Sequence, residues 1–166
     1  MPLLENGHIV QETWQKIQDE QPIPEKGNVL VPLFRLEEGL KYVSVGHLGV
    51  VLTPEDQVRN LSHALSHLGM ICLTFVSFRD GRPFTQACVL RRLLKYTGIL
   101  RVQGYVLPDQ YEFLQRCGIN QVFIDSENTV SIWQRAYHRF SIAYQPSVLN
   151  EVEEGFAFRK LLFSSS

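Results

Sequence analysis

Residues 77–85, Ser-Phe-Arg-Asp-Gly-Arg-Pro-Phe-Thr, gather the side chains best suited to chemistry. Two guanidinium groups, Arg79 and Arg82, flank the carboxylate of Asp80 and a glycine, Gly81, that permits a sharp turn. The hydroxyl of Thr85 follows near the start of an expected helix. Arginine offers a planar fork that grips oxyanions. A helix start adds free N–H groups and partial positive charge. Together they suit phosphate, sulfate, sulfite or carboxylate. The same residues also describe a solvated turn in which Asp80 pairs with a nearby arginine and Thr85 only caps.

A second segment, 103–110, carries Gln103, Gly104, Tyr105, Asp109 and Gln110. Gly104 lets backbone approach closely, and Tyr105 can stack or hydrogen-bond. Asp109 and Gln110 sit where a helix begins, so they are equally candidates for capping. Arg101 precedes this segment on a strand. Convergence of Arg82, Arg101, Tyr105, Asp109 and Gln110 in one cleft would make an anion-binding site. Asp80 or Asp109 is the candidate acid or base should the chain be an enzyme acting on a substrate clamped by Arg82.

The elements that would position these loops follow from hydrophobic periodicity. Residues 3–10 read as a β-hairpin around Asn6-Gly7, since both residues tolerate positive φ. A polar connector containing Pro22 and Pro24 follows, then an apolar strand at 29–33 with Pro32 at its end or at a sheet edge. Residues 34–44 suggest a short helix weakened by Gly39. Strands at 49–52, 70–76, 99–103 and 121–124 then alternate with helices over 53–69, 85–96, 108–117 and 129–140. Five βα units across 29–143 imply an α/β fold with a mostly parallel sheet. The sheet is either an open wound sheet or an incomplete barrel. In the first, helices on both faces would bury Arg101 at high cost. In the second, an open concave face would let it meet solvent or a ligand. Ligands of parallel βα folds bind at the carboxyl ends of the strands, which is where both loops fall. Residues 1–145 read as one domain. The tail, 146–166, is acidic and then aromatic, and it either packs back on the domain or docks on a partner.

Composition excludes more than it selects. The 166 residues are 45% hydrophobic and 20% charged, with 16 basic and 17 acidic residues and a formal net charge of −1. A neutral chain lacks the broad positive field expected of a nucleic-acid or anionic-membrane binder. No apolar run is long enough to span a bilayer, and no basic, then apolar, N-terminal segment marks a secretory signal. The three cysteines, Cys72, Cys88 and Cys117, are odd in number and far apart, which fits a reducing, cytoplasmic setting. Cys72 is an expected inert core residue; Cys88 or Cys117 would react only beside a cation. His63 and His67 have metal-compatible spacing but no third ligand, so no metal site is expected. Dinucleotide and P-loop glycine patterns are absent from the sequence, and no cofactor can be named from it.

The chain resembles a bacterial family of small proteins, domain of unknown function 934, described as oxidoreductases involved in sulfite reduction. The motifs that carry the likeness are the opening Met-Pro-Leu-Leu, Trp14, Pro22-Ile-Pro24, residues 29–33, Phe78-Arg-Asp-Gly-Arg82, Thr85-Gln-Ala87, Leu90-Arg91, Gly104, Val106-Leu107, Asp109-Gln110 and Arg116-Cys-Gly118. It runs from residue 1 to about 145. Relatives usually carry arginine at the position of Cys88 and aspartate at that of Tyr105. The resemblance brings Arg91 into the candidate anion-binding set and implies a place in assimilatory sulfur metabolism. That place is either as an oxidoreductase or as an accessory protein binding sulfite reductase or a small oxyanion. No cluster ligand set or CxxC dithiol accompanies it, so redox equivalents would come from a partner or from a cofactor held without a familiar motif. A non-catalytic adaptor is the remaining possibility.

Overall fold

A computed structural model describes residues 2–24, 26–126 and 129–137. The expected tail at 146–166 and the end of the last expected helix lie outside the described residues. Strands β1 (Leu3–Glu5) and β2 (His8–Val10) form the expected hairpin. Asn6 and Gly7 have φ of 49° and 79°, the paired positive values of a two-residue turn whose twist matches the strands. Strands β3 (Trp14–Lys16), β4 (Asn28–Pro32), β5 (Leu48–Leu52), β6 (Leu68–Phe75), β7 (Ile99–Gly104) and β8 (Gln121–Phe123) follow. All eight make one sheet in the order β2-β1-β8-β7-β6-β5-β4-β3. Neighbours from β3 to β8 are parallel, while β1 runs antiparallel to both β2 and β8.

The sheet curls as half a barrel, and strand alternation separates its two faces. Val31, Val50, Leu52, Ile71, Leu73, Phe75, Leu100, Val102 and Val122 point one way, into the main core. Helices α1 (Leu36–Tyr42), α2 (Arg82–Cys88), α3 (Tyr111–Arg116) and α4 (Val130–Tyr137) contribute Leu36, Ala87, Tyr111, Leu114 and Trp133 to that core. The other face carries a separate small cluster, Trp14, Leu30, Met70 and Cys72, with no helical residue in it. The Trp14 ring lies over Gly49 and Gly69, where a Cβ would come within 3.0 and 3.1 Å of it. At Gly69 a Cβ would also fall 2.0 Å from the carbonyl oxygen of Gly46, so no larger residue fits there without moving backbone.

Several expectations need correction. Residues 14–16 are not part of a connector; they form β3, held parallel to β4 by a crossover without a helix. Arg35 pins that crossover: its guanidinium donates to the carbonyls of Gln18 (3.0 Å) and Gln21 (2.6 Å) and pairs with Glu38 (2.8 Å). The helix expected over 53–69 is a turn followed by a 3-10 segment, Val58–Leu61. Asp56 accepts from both the backbone and the hydroxyl of Thr53, which closes a turn instead of capping a helix. Leu68, expected on that helix, opens β6 opposite Leu48. The β5–β6 connection therefore lacks the α-helix that five regular βα units require. The helix after β6 begins earlier than expected, at Arg82, and continues as a π-helical run, Val89–Leu93.

Arg101 departs furthest from expectation. The described helices cover only one face, as an incomplete barrel requires, yet Arg101 on the other face is 1% exposed and does not meet solvent. Its guanidinium donates twice to Gln121 Oε1 (3.0 and 2.8 Å), pairs with Glu12 at 2.5 Å and lies 5.0 Å from the Phe123 ring centroid. These partners satisfy the charge that burial would otherwise penalise. Replacing Arg101 with Met should lower unfolding free energy by about 3 kcal/mol, because Gln121 and Glu12 lose their donor inside the protein. Urea unfolding of both proteins measures this, and an unchanged midpoint would contradict it.

Candidate functional site

The rim at the carboxyl ends of β6 and β7 is where a parallel sheet presents its loops to ligands. Phe75, the last residue of β6, packs its ring on Phe84 at 5.1 Å, and Phe84 packs on Phe113 at 4.8 Å. These rings fix the loop that begins at Val76 against α2 and α3. Gly104, the last residue of β7, has φ of 95°, and a Cβ there would lie 2.2 Å from the carbonyl oxygen of Phe75. Only glycine fits, and the next residue exploits the closeness: the Tyr105 N–H donates to Phe75 O at 2.9 Å.

The loop at 77–81 closes on itself. Asp80 accepts from the Arg82 N–H (3.1 Å) and from its guanidinium (Nη2 at 2.7 Å). Arg82 also reaches Glu55 at 3.1 Å. These contacts, the side-chain hydrogen bond first and the backbone one second, hold the Asp80 carboxyl below its ordinary range. The same carboxylates raise Arg82 further above its already high value. Arg82 therefore faces two carboxylates. Arg79 lies 5.4 Å from the Phe78 ring centroid. Gly81 precedes the first residue of α2, and Thr85 is exposed on its first turn.

Gln110 joins the two segments. Its Oε1 accepts from the Leu107 N–H (3.1 Å), and its Nε2 donates to the carbonyl of Phe78 (3.0 Å). Asp109 is exposed at the start of the 3-10 turn Pro108–Gln110. The structure thus brings residues 77–82 and 105–110 to one rim, but Arg82 and Asp109 line different hollows. Arg82, Arg59, Thr85 and Gln86 line one of about 470 Å³; Asp109, Leu107, Ile132 and Arg135 line another of about 600 Å³. In the first, Gln86 Nε2 donates to the carbonyls of Thr53 and Asp56, while its buried Oε1 has no partner among the described residues.

The remaining candidates lie elsewhere. Arg101 is on the opposite face of the sheet. Gln103, on that same face, donates to Thr74 Oγ1 at 3.0 Å. Arg91 is at the other end of the strands. It is buried and donates to the carbonyls of Gly118 (2.9 Å), Tyr96 (2.6 Å) and Gly98 (2.8 Å) and to Asn120 Oδ1 (2.6 Å). His63 pairs with Glu37 at 3.0 Å. Cys72 is fully buried, and burial pushes its thiol up to about 12.

Sequence reasoning missed one feature, the apolar character of the rim, where Phe78, Tyr105 and Phe113 are 47%, 71% and 55% exposed. Tyr105 stands among the candidate ligand contacts, but no local spacing groups it with Phe78 and Phe113; only the strand ends bring the three rings to one rim.

Proton NMR titration of Asp80 should give a midpoint below the ~3.9 of a free aspartate, and Arg82→Ala should move it upward. Because the folded value is depressed, the turn that Asp80 closes is held in full above ~3.9 and loosens as pH falls through the lower folded midpoint. An Asp80 midpoint unchanged by Arg82→Ala would contradict this geometry.

Residues 49–153 match the model of a family described as bacterial protein of unknown function (DUF934). Comparison with curated proteins and with solved structures finds no match. No helix among the described residues is long and apolar enough to cross a membrane.

Proposed function

The chain belongs to the DUF934 family of bacterial proteins of unknown function, and from that premise we propose that it is an accessory protein of assimilatory sulfite reduction. It docks on sulfite reductase through the rim at the carboxyl ends of β6 and β7. The observation that carries the docking half is the exposure of Phe78, Tyr105 and Phe113 around the Gln110–Phe78 tie. Aromatic side chains held on a rigid, hydrogen-bonded rim are the residues that dominate protein interfaces. Arg79, beside Phe78, supplies a charge at the edge of that patch. The sulfite-reduction half rests on the motif likeness at residues 78–82, 85–87 and 104–110.

The partner form of this reading is better supported than the small-oxyanion form. Arg82 already faces Asp80 and Glu55, so an incoming anion would compete with two resident carboxylates. Asp80 is no better placed as a general acid, because Arg82 keeps it ionised. The rim's role is then recognition, with electron transfer left to the reductase.

Titration of the full chain into purified sulfite reductase by calorimetry tests the proposal. Binding is expected. Phe78→Ser and Tyr105→Ser should each weaken it by about 30-fold, the effect of losing an interface anchor worth about 2 kcal/mol. Absence of binding by the unaltered chain, or equal affinity in both variants, overturns it.

A further inference from the structure

The hollow of about 600 Å³ lies between the turn Pro108–Gln110 and α4. Leu107, Pro108 and Asp109 line it from the turn; Ile132, Arg135 and Ala136 line it from the helix. Leu107 is 41% exposed and Ile132 44%, so apolar surface meets water on both sides. Both sides are held in place. Gln110 Oε1 accepts from the Leu107 N–H on one side (3.1 Å). On the other, Trp133 packs its ring on Tyr111 at 5.4 Å, and Gln134 donates to the carbonyl of Gly7 at 3.0 Å. A preformed hollow binds without the cost of ordering its own walls. It also carries two opposite charges, both exposed. Arg135 donates to the carbonyl of Ser131 (3.3 Å), and among the described residues neither Asp109 nor Arg135 is paired with an opposite charge.

The chain itself continues from this hollow. Ala136 is one residue short of the end of α4, and residues 138–166, outside the described residues, follow. Their sequence complements the lining. Phe156, Phe158, Leu161, Leu162 and Phe163 crowd apolar side chains into eight residues, with Arg159 and Lys160 among them and Glu151, Glu153 and Glu154 just before. Residues 156–163 also follow the family-matched region, so the shared family pattern does not account for them.

We propose that residues 156–163 dock in this hollow on their own chain. This goes beyond the docking reading and does not depend on it. The apolar side chains cover Leu107 and Ile132, Arg159 and Lys160 meet Asp109, and the acidic residues before them face Arg135. Exposed ion pairs contribute little, about 0.2–1 kcal/mol each, so apolar burial supplies most of the attraction and the charges set the direction of the segment. Covalent attachment decides which copy is bound. The 18 residues between α4 and the segment, 138–155, span up to ~65 Å, ample to return to the helix they leave. Such a linker holds the segment at about millimolar effective concentration, so even a weak contact is filled within one chain before a second chain competes.

Site-specific crosslinking of the full chain tests this. With Ile132 replaced by p-benzoylphenylalanine, irradiation should join position 132 to a peptide within 156–163, at monomer mass and independently of protein concentration. The same probe at Leu107 gives the same product without altering α4. Phe158→Asp combined with Leu162→Asp should lower the yield at least about tenfold, through lost apolar contact. Asp109→Lys should lower it about threefold, and adding Arg159→Glu with Lys160→Glu should restore it. Crosslinks found only between two copies, at doubled mass, would put a second chain in the hollow and overturn the proposal. Crosslinks that miss 156–163 from both probes, or a yield indifferent to the Phe158 and Leu162 changes, overturn it as well.

Discussion

One-sided packing is the constraint on which this structure rests. Every described helix covers the same face of the sheet, so the other face must resolve its own burial. An ordinary wound sheet would solve the problem with a second helical layer. Here the solution is local. Trp14 from β3 lies across two glycines, and a small apolar cluster forms beneath it. Next to that cluster, Arg101 is neutralised by Glu12 and bound by Gln121. β3 and the segment before it thus complete the inner face, although in sequence they look like a polar link.

Arginine is the recurrent device. Arg35 holds the β3–β4 crossover, Arg91 gathers three carbonyls and Asn120 at the base of the sheet, and Arg101 secures the inner face. A guanidinium can satisfy several acceptors at once because its donors radiate in a plane. That makes it suited to joining segments distant in the chain. It also means that an arginine near a strand end does not by itself signify an anion site. Of the four arginines first grouped as anion ligands, Arg91 and Arg101 hold the fold, and Arg82 is tied to carboxylates of its own chain.

The hairpin, the apolar strands and the helix preceding β7 were legible because local rules agree with the fold there. Asn6-Gly7 adopts the turn its residues favour, and the near-continuous apolar run that starts at Met70 has Met70, Ile71, Cys72, Leu73 and Phe75 buried, on both faces of the sheet. Legibility failed where tertiary contacts override local preference. Thr53 can cap a helix, but Asp56 closes a turn on it first. Residues 89–93 carry a helical pattern, yet the chain widens to a π-helix where Arg91 reaches the carbonyls of Tyr96, Gly98 and Gly118. Alternation along β7 separates Arg101 from Leu100 and Val102, but its burial depends on Glu12, 89 residues earlier.

The base of the sheet obeys the same logic. In a parallel βα arrangement each helix runs back from the rim, so the chain leaving it returns to the end where the strands begin. Residues there become neighbours however far apart they stand in sequence: Arg91 donates to the carbonyl of Gly118, 27 residues on, and to Asn120 Oδ1. The aromatic rim and the arginine-clamped base are therefore held at opposite ends of the same strands.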